Sequence, residues 1–455
     1  MPSRRSFILG GTAAVGTVGS LGAAVASAFP KHNRRGPLER CPVFGYGDLV
    51  SDPDGLLDLP HGFRYRVFSR EDGGIMSDGN PVPAGHDGMG AFPGRYGRTI
   101  LVRNHELKED DILEDGSAPV PAVKGSIYDP EAIFGGTTTL IVNHRRRLVA
   151  DWPSLSGTLD NCAGGITPWN TWLTCEEETD TMGKPHGYVF EVDPYGKGNP
   201  EPIIGMGRYE HEAVCFDKQG VAYLTEDADG PHGCFYRYIP NNLMGGRGSL
   251  HGGGLLSALA VKGLGTDLSI VQNPGMVLNV EWVDVPNPNP TDNETPVREQ
   301  VIAMGATPIQ KAEGTWAAND GSIWFVSSRG DGPDAEDEDD ISAAVHAGQI
   351  WRYDPMSETI ELVVLFPKGT PFDEPDNITA GPHGFAVACT DGDDDQWLIG
   401  ITDEGRVFPF AFNAFNDEEF AGATFSRDGR TLFVNVQGAP GMTFAIWGPW
   451  RHRKS

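Results

Sequence analysis

The chain has 455 residues and a formal net charge of −28, from 35 lysines and arginines against 63 aspartates and glutamates. That balance excludes a nucleic-acid-binding surface, which needs a basic face to meet phosphates, and argues against attraction to anionic lipid. A hydrophobic content of 39% allows a buried core, and 60 glycines with 35 prolines point to a turn-rich chain rather than a helical bundle.

The first segment reads as an address. Ser3-Arg4-Arg5-Ser6-Phe7-Ile8-Leu9 is a twin-arginine pattern, followed by a small-residue apolar stretch from Gly10 to Val25 and by Ala26-Ser27-Ala28, an A-x-A cleavage signal. Residues 1–28 are therefore expected to be a twin-arginine signal peptide, recognised by the twin-arginine export machinery, with the product periplasmic or extracellular. No later run approaches the ~18 apolar residues of a spanning helix, so no stable membrane anchor is expected. Export of an already folded chain suits a protein whose metal is inserted beforehand. Residues 29–85 read as an N-terminal extension packing on a catalytic domain that occupies residues 86–455.

From there on helical periodicity is nearly absent. Short β-rich runs recur, cut by Gly, Asp, Asn and Pro turns. One kind of run has a turn and then an apolar strand, as in Phe216-Asp217-Lys218-Gln219-Gly220-Val221-Ala222-Tyr223-Leu224 and Phe425-Ser426-Arg427-Asp428-Gly429-Arg430-Thr431-Leu432. A second kind follows at a distance, as in Gly233-Cys234-Phe235-Tyr236-Arg237-Tyr238 and Gln349-Ile350-Trp351-Arg352-Tyr353-Asp354-Pro355. Paired hairpin halves repeated along a chain describe propeller blades. Six starts, near Asp87, Cys162, Glu212, Glu313, Asn377 and Glu419, predict an all-β fold, a six-bladed β-propeller with loop insertions. A large β-sandwich is the alternative.

Each start carries a polar group, in five of the six followed closely by Gly or Ala: Asp87-Gly88, Cys162-Ala163, Glu212-Ala213, Glu313-Gly314 and Glu419-Phe420-Ala421-Gly422, with Asp376-Asn377 the sixth. In a propeller the first strand of each blade lines the axis, so these groups would form one ring. Carboxylates and a thiolate a few Å apart repel and call for protons or hard cations. The competing reading is turn chemistry, because Asp, Glu and Asn before a strand are common turn residues.

Cys41, Cys162, Cys175, Cys215, Cys234 and Cys389 are widely spaced and form no zinc pattern. Cys175, Cys215, Cys234 and Cys389 read as small buried hydrophobes, whereas Cys162, set among Asp160, Asn161 and glycines, fits a buried thiol or a ligand equally. Glu176, Glu177 and Glu178 must alternate faces on a strand, so Glu176 and Glu177 cannot point the same way. The acidic runs Asp331–Asp340 and Asp391–Asp395 read as solvated loops. Lys311, Arg103, Arg329 and Arg406 are candidate phosphate contacts, and His86, His105 and His211 candidate partners of the ring residues.

These motifs resemble those of PhoX-type alkaline phosphatases. The resemblance rests on the twin-arginine start, Phe44-Gly45-Tyr46-Gly47, His86-Asp87-Gly88-Met89, Arg103-Asn104-His105-Glu106, Gly135-Gly136-Thr137-Thr138-Thr139, Asn161-Cys162-Ala163-Gly164-Gly165, Thr174-Cys175-Glu176-Glu177, His211-Glu212-Ala213, Pro375-Asp376-Asn377 and Glu419-Phe420-Ala421-Gly422. It spans nearly the whole chain. It implies a six-bladed propeller whose axis holds iron and calcium, with Cys162, Glu177, Glu212, Glu313, Asp376 and Glu419 as metal ligands, Cys162 binding iron, and a small-molecule phosphate ester as substrate. Lys311, Arg329 and Arg406 are the expected catalytic cations. Two departures stand out: Lys311 and Phe412 occupy positions where the family pattern has arginine, and arginine grips phosphate in two places where lysine is a point charge. A metal-binding propeller without turnover and a lactonase-like calcium hydrolase are the alternatives.

Overall fold

In the computed structural model, residues 45–450 are described, apart from 114–115, 229–231, 331–343 and 393–394. The twin-arginine segment, Cys41 and the acidic run 331–340 therefore lie outside the described residues. Everything described belongs to one unit, Val43–Ser455.

The fold is all-β and propeller-like. Antiparallel pairing divides the strands into five sheets. The first runs outward through His86–Pro93, Thr99–His105, Gly135–Val142 and Leu148–Thr158, and the second through Gly164–Ile166, Trp172–Cys175 and Val189–Val192. The third has nine strands. It leaves the axis at His211–Phe216, reaches its outer turn where Val277–Asp284 pairs with Thr359–Leu365, and returns through Ile323–Ser327 to Thr315–Ala317. The fourth begins at Pro375–Ala380 and the fifth at Phe420–Phe425. The strands His86–Pro93, Gly164–Ile166, His211–Phe216, Thr315–Ala317, Pro375–Ala380 and Phe420–Phe425 lie side by side in that order, and the last returns to the first.

Residues 57–60 and 64–70, read from the sequence as part of an extension, are strands of these sheets. Leu57–Pro60 pairs with Val407–Asn413, and Arg64–Arg70 is the outer strand beside Met442–Trp447. Helix is confined among the described residues to short segments such as Glu109–Leu113 and Val297–Ile302, and no helix is long and apolar enough to cross a membrane.

The hairpins at the inner edge explain why the turn motif repeats. Asp217 Oδ1 accepts from the Gln219 and Val221 amides, both at 2.9 Å, and Gly220 takes φ +89°, an Asx turn closed by a residue without a Cβ. Between neighbouring sheets the apolar faces meet in dry layers, such as Leu173, Val189, Val214 and Tyr236, or Val387, Leu398, Phe410, Val434 and Phe444. Cys175, Cys215, Cys234 and Cys389 are buried, as expected of small hydrophobes.

The glycines behind the ring groups answer to crowding at the axis. A Cβ on Gly88 would stand 2.6 Å from the Cys162 carbonyl oxygen, and one on Gly314 2.7 Å from the Ile378 amide. Gly422 adds a left-handed φ of +63° to a Cβ position 2.5 Å from the Asp87 carbonyl oxygen. Gly422→Ala is expected to cost about 2–4 kcal/mol through strain and overpacking together. Denaturant unfolding with an unchanged slope and a lowered midpoint is the expected readout.

Candidate metal centre

The inner strands carry their acids where the ladder is broken. Register shifts between His86 and Met89, His211 and Val214, and Pro375 and Ile378 insert an extra residue on the inner strand. These bulges hold Asp87, Glu212 and Asp376, and a bulge re-aims the side chain it carries. Carbonyl clasps fix the neighbouring backbone: Asn104 Nδ2 donates to the Cys162 and Ala163 oxygens at 2.9 and 2.7 Å, and Asn435 Nδ2 to the Asp87 oxygen at 2.6 Å.

The result is an acidic ring. Ligand-capable atoms of Cys162, Glu177 and Glu212 lie within 4.8 Å of one another, as do those of Glu106, Asp160 and Glu177, and those of Glu212, Glu313 and Asp376. Glu177 and Glu212 are each shared between two of these groups. Cys162, Asp160, Glu212 and Glu313 are buried, while Glu106, Glu177 and Asp376 keep partial access to solvent. Burial, with Asp227, Glu106 and Glu212 next, pushes the Glu177 carboxyl up. Burial and the Asp376 charge do the same to Glu212. Burial, Glu212 and Glu177 raise the Cys162 thiol, while Asp160 and Asp376 are each pushed up to about 7, mainly by burial.

Of the proposed ligands, Cys162, Glu177, Glu212, Glu313 and Asp376 are brought together. Glu419 stands outside the close groups, yet the charges of Asp391, Asp376, Glu106 and Glu313 still push it up after burial. Of the proposed catalytic cations, Lys311 reaches the ring: its Nζ is 2.8 Å from Asp227 Oδ2. Burial pulls its pKa down, but Asp227 and Glu313 more than reverse this and hold it charged. Arg329 is buried just past Ser328, whose Oγ donates to Glu313 at 2.8 Å. Arg406 is not at the ring. It sits exposed in the turn joining Trp397–Thr402 to Val407–Asn413, 3.6 Å from Glu404, at the opposite end of the strands from Asp376. Arg103 is fully buried and donates to Ser69 and Thr443.

His86, His105 and His211 are buried beside the ring but turned from it. Their ring N–H groups donate to the carbonyls of Pro83, Ala84 and Gly207. Strand alternation explains this, since each of His86 and His211 precedes a residue that faces the axis. Phe412 packs on Trp397 with centroids 4.7 Å apart, on the fourth strand out from the axis, so an arginine at that position would not stand in the ring.

Three contributors escaped the ligand assignment made from the sequence: Glu106, Asp160 and Asp227. Glu106 and Asp227 each follow the second strand of a sheet, as Glu177 does. A signal was present in the spacing, because Glu177, Asp227, Ser328 and Asp391 stand fifteen residues after Cys162, Glu212, Glu313 and Asp376. Asp391, placed with the solvated loops on sequence grounds, has its pKa raised by desolvation and then by Asp376 and Glu374.

The donor set suits hard cations with one softer thiolate position. Buried Asp87 Oδ1 and Asp227 Oδ1 have no hydrogen-bond partner, as atoms reserved for a cation would. Among the described residues two lysines, Lys311 and Lys108 (3.3 Å from Asp160), face the cluster, too few to neutralise it.

Residues 44–441 match the family described as Alkaline phosphatase PhoX. The chain belongs to the PhoX alkaline phosphatase family. The family is one of metal-dependent phosphatases, and its alkaline phosphatase activity makes the chain a phosphoric ester hydrolase. Among solved structures it is similar to Pseudomonas fluorescens PhoX in complex with vanadate, a transition state analogue, at 18% identity and a TM-score of 0.67, covering 87% of this chain and 96% of that one. A gluconolactonase from Xanthomonas campestris aligns at 10% identity and a TM-score of 0.42, over 90% of this chain and 100% of that one. No curated protein matches the chain.

Proposed function

We propose that this PhoX-family chain is an exported phosphatase acting on small-molecule phosphate esters at an iron–calcium centre, and that its nine-stranded sheet is two blades joined edge to edge, giving six blades in all. The observation that carries the metal reading is the set of overlapping groups sharing Glu177 and Glu212. Cys162, the one sulfur among oxygens, suits iron, and Glu106, Asp160, Glu212, Glu313 and Asp376 suit calcium. When bound, these cations supply positive charge opposite the phosphoryl group.

The protein's own residues complete the site. Lys311 holds a positive Nζ at the rim of the ring, placed to draw a phosphate oxygen inward, while Asp227 keeps it oriented. Arg329 is the second candidate cation for the ester and Glu419 a peripheral ligand. Arg406, exposed and distant, is left out of the mechanism. The twin-arginine start is the basis for export to the periplasm or beyond.

Elemental analysis of the purified protein beside hydrolysis of p-nitrophenyl phosphate tests this reading. Iron together with calcium, and activity lost in chelator, are expected. Calcium alone, or activity indifferent to chelation, rejects it. Lys311→Ala is expected to lower kcat/KM by about a hundredfold, and Lys311→Arg to retain most of it. Equal kcat/KM in all three proteins would remove Lys311 from substrate capture.

A further inference from the structure

Glu176 and Glu177 are neighbours with opposite fates. Glu177 enters the ring, while Glu176 turns into the blade and is completely buried. Its carboxylate is saturated by donors. Oε1 accepts from the Leu159 amide at 3.0 Å and from His186 Nδ1 at 2.6 Å. Oε2 accepts from the amides of Gly187 and Tyr188 at 2.9 and 3.1 Å. Leu159 directly precedes Asp160 and lies three residues before Cys162. One carboxylate thus ties the segment carrying Asp160 and Cys162 to the strand end carrying Glu177.

His186 is fixed in turn. Its Nε2 approaches Asp129 Oδ2 to 3.5 Å as an ion pair without a hydrogen bond, both side chains being buried, and its carbonyl accepts from Arg208 Nε at 2.8 Å. Asp129 Oδ2 also accepts from the Lys184 amide at 2.6 Å, and a Cβ on Gly183 would stand 2.6 Å from Asp129 Oδ1, so the loop closes tightly on this aspartate. None of the three side chains belongs to the close ligand groups. A buried Asp–His–Glu chain with both Glu176 oxygens engaged is more than solubility or packing requires, and its open end is the pair of backbone segments that carry Asp160, Cys162 and Glu177.

We propose that Glu176, oriented by His186 and Asp129, is a positioning residue that sets the spacing between the Asp160–Cys162 segment and Glu177, and so the cation affinity of that half of the ring. This rests on the metal reading given above. Residues outside the ligand set that orient ligands typically govern affinity by ten- to a hundredfold.

The experiment is calcium titration of the full-length, chelator-stripped protein by calorimetry, for wild type, Glu176→Gln, His186→Gln and Asp129→Asn, beside the thermal midpoint of each stripped protein. Glu176→Gln and His186→Gln are expected to weaken calcium binding about ten- to a hundredfold, and Asp129→Asn to weaken it less, while the stripped midpoints stay within a few degrees of wild type. Wild type binding calcium with all three variants binding equally well overturns the positioning role. Weakened binding matched by an equally large drop of the stripped midpoint also overturns it, since the network would then be merely structural. If wild type itself binds no calcium, the metal reading fails instead, which separates the two claims. Should Glu176→Gln not fold, Asp129→Asn at the remote end decides alone by the same criteria.

Discussion

Glu212→Ala is expected to abolish phosphate-ester hydrolysis, with a loss of at least about a thousandfold, beyond the ten- to hundredfold of a residue that only supports a ligand. Its carboxylate belongs both to the group with Cys162 and Glu177 and to the group with Glu313 and Asp376, so its removal disturbs two candidate cation positions at once. It also sits in a backbone bulge beside Cys162, whose thiol donates to the His211 carbonyl at 3.2 Å and reaches that of Glu212 at 3.7 Å. Glu313→Ala, touching one group, should lose less activity and retain more metal. Assays of kcat/KM with metal content on both variants give the test, and similar losses in the two would refute the shared role of Glu212.

Stripping the cations should make stability fall as pH rises. Asp160 and Asp376 are each raised from 3.8 to about 7 by burial ahead of neighbouring charges. An acid whose pKa is raised by folding binds more protons folded than unfolded between those two values. The penalty is therefore absent below about pH 4, grows by up to about 1.4 kcal/mol per pH unit for each group, and is complete above about pH 7. Cations take the protons' place, so calcium should flatten the slope, and at a thousand times its Kd it should add about 4 kcal/mol. Denaturant midpoints between pH 4.5 and 7.5, with and without calcium, measure this. Equal slopes in both conditions would show that the ring is neutralised by something other than cations.

Much of the site was legible because the architecture is periodic. The strand-start residues Cys162, Glu212, Glu313 and Asp376 could be placed on one ring from the repeat alone, without knowing any distance. The second-strand ends were legible only in part. Glu177 was found within a run of acids, but Glu106 followed a buried histidine and Asp227 followed Glu226, and nothing in composition tells an axial acid from a rim acid. Asp160 takes φ +49°, a left-handed turn that no periodicity encodes for a non-glycine residue. Arg406 shows the reverse failure: proximity in sequence to an inner sheet says nothing about which end of the strand a side chain occupies. The blade hairpins were plain from Asp-Gly turns, whereas the joining of Val277–Asp284 to Thr359–Leu365 depends on pairing across a long insertion and left no local mark.

The outer strand of the last sheet, Arg64–Arg70, comes from far earlier in the sequence than its neighbours, with Val67 opposite Phe444. The circle of sheets cannot shut until Met442–Trp447 has been made, because Arg64–Arg70 waits for that mate. Trimming either mate leaves an open edge on the sheet next to Asp87 and slackens the circle there, and the acids would then be free to spread apart instead of gathering metal. Assembly of the centre is thereby tied to the meeting of two segments far apart in the sequence.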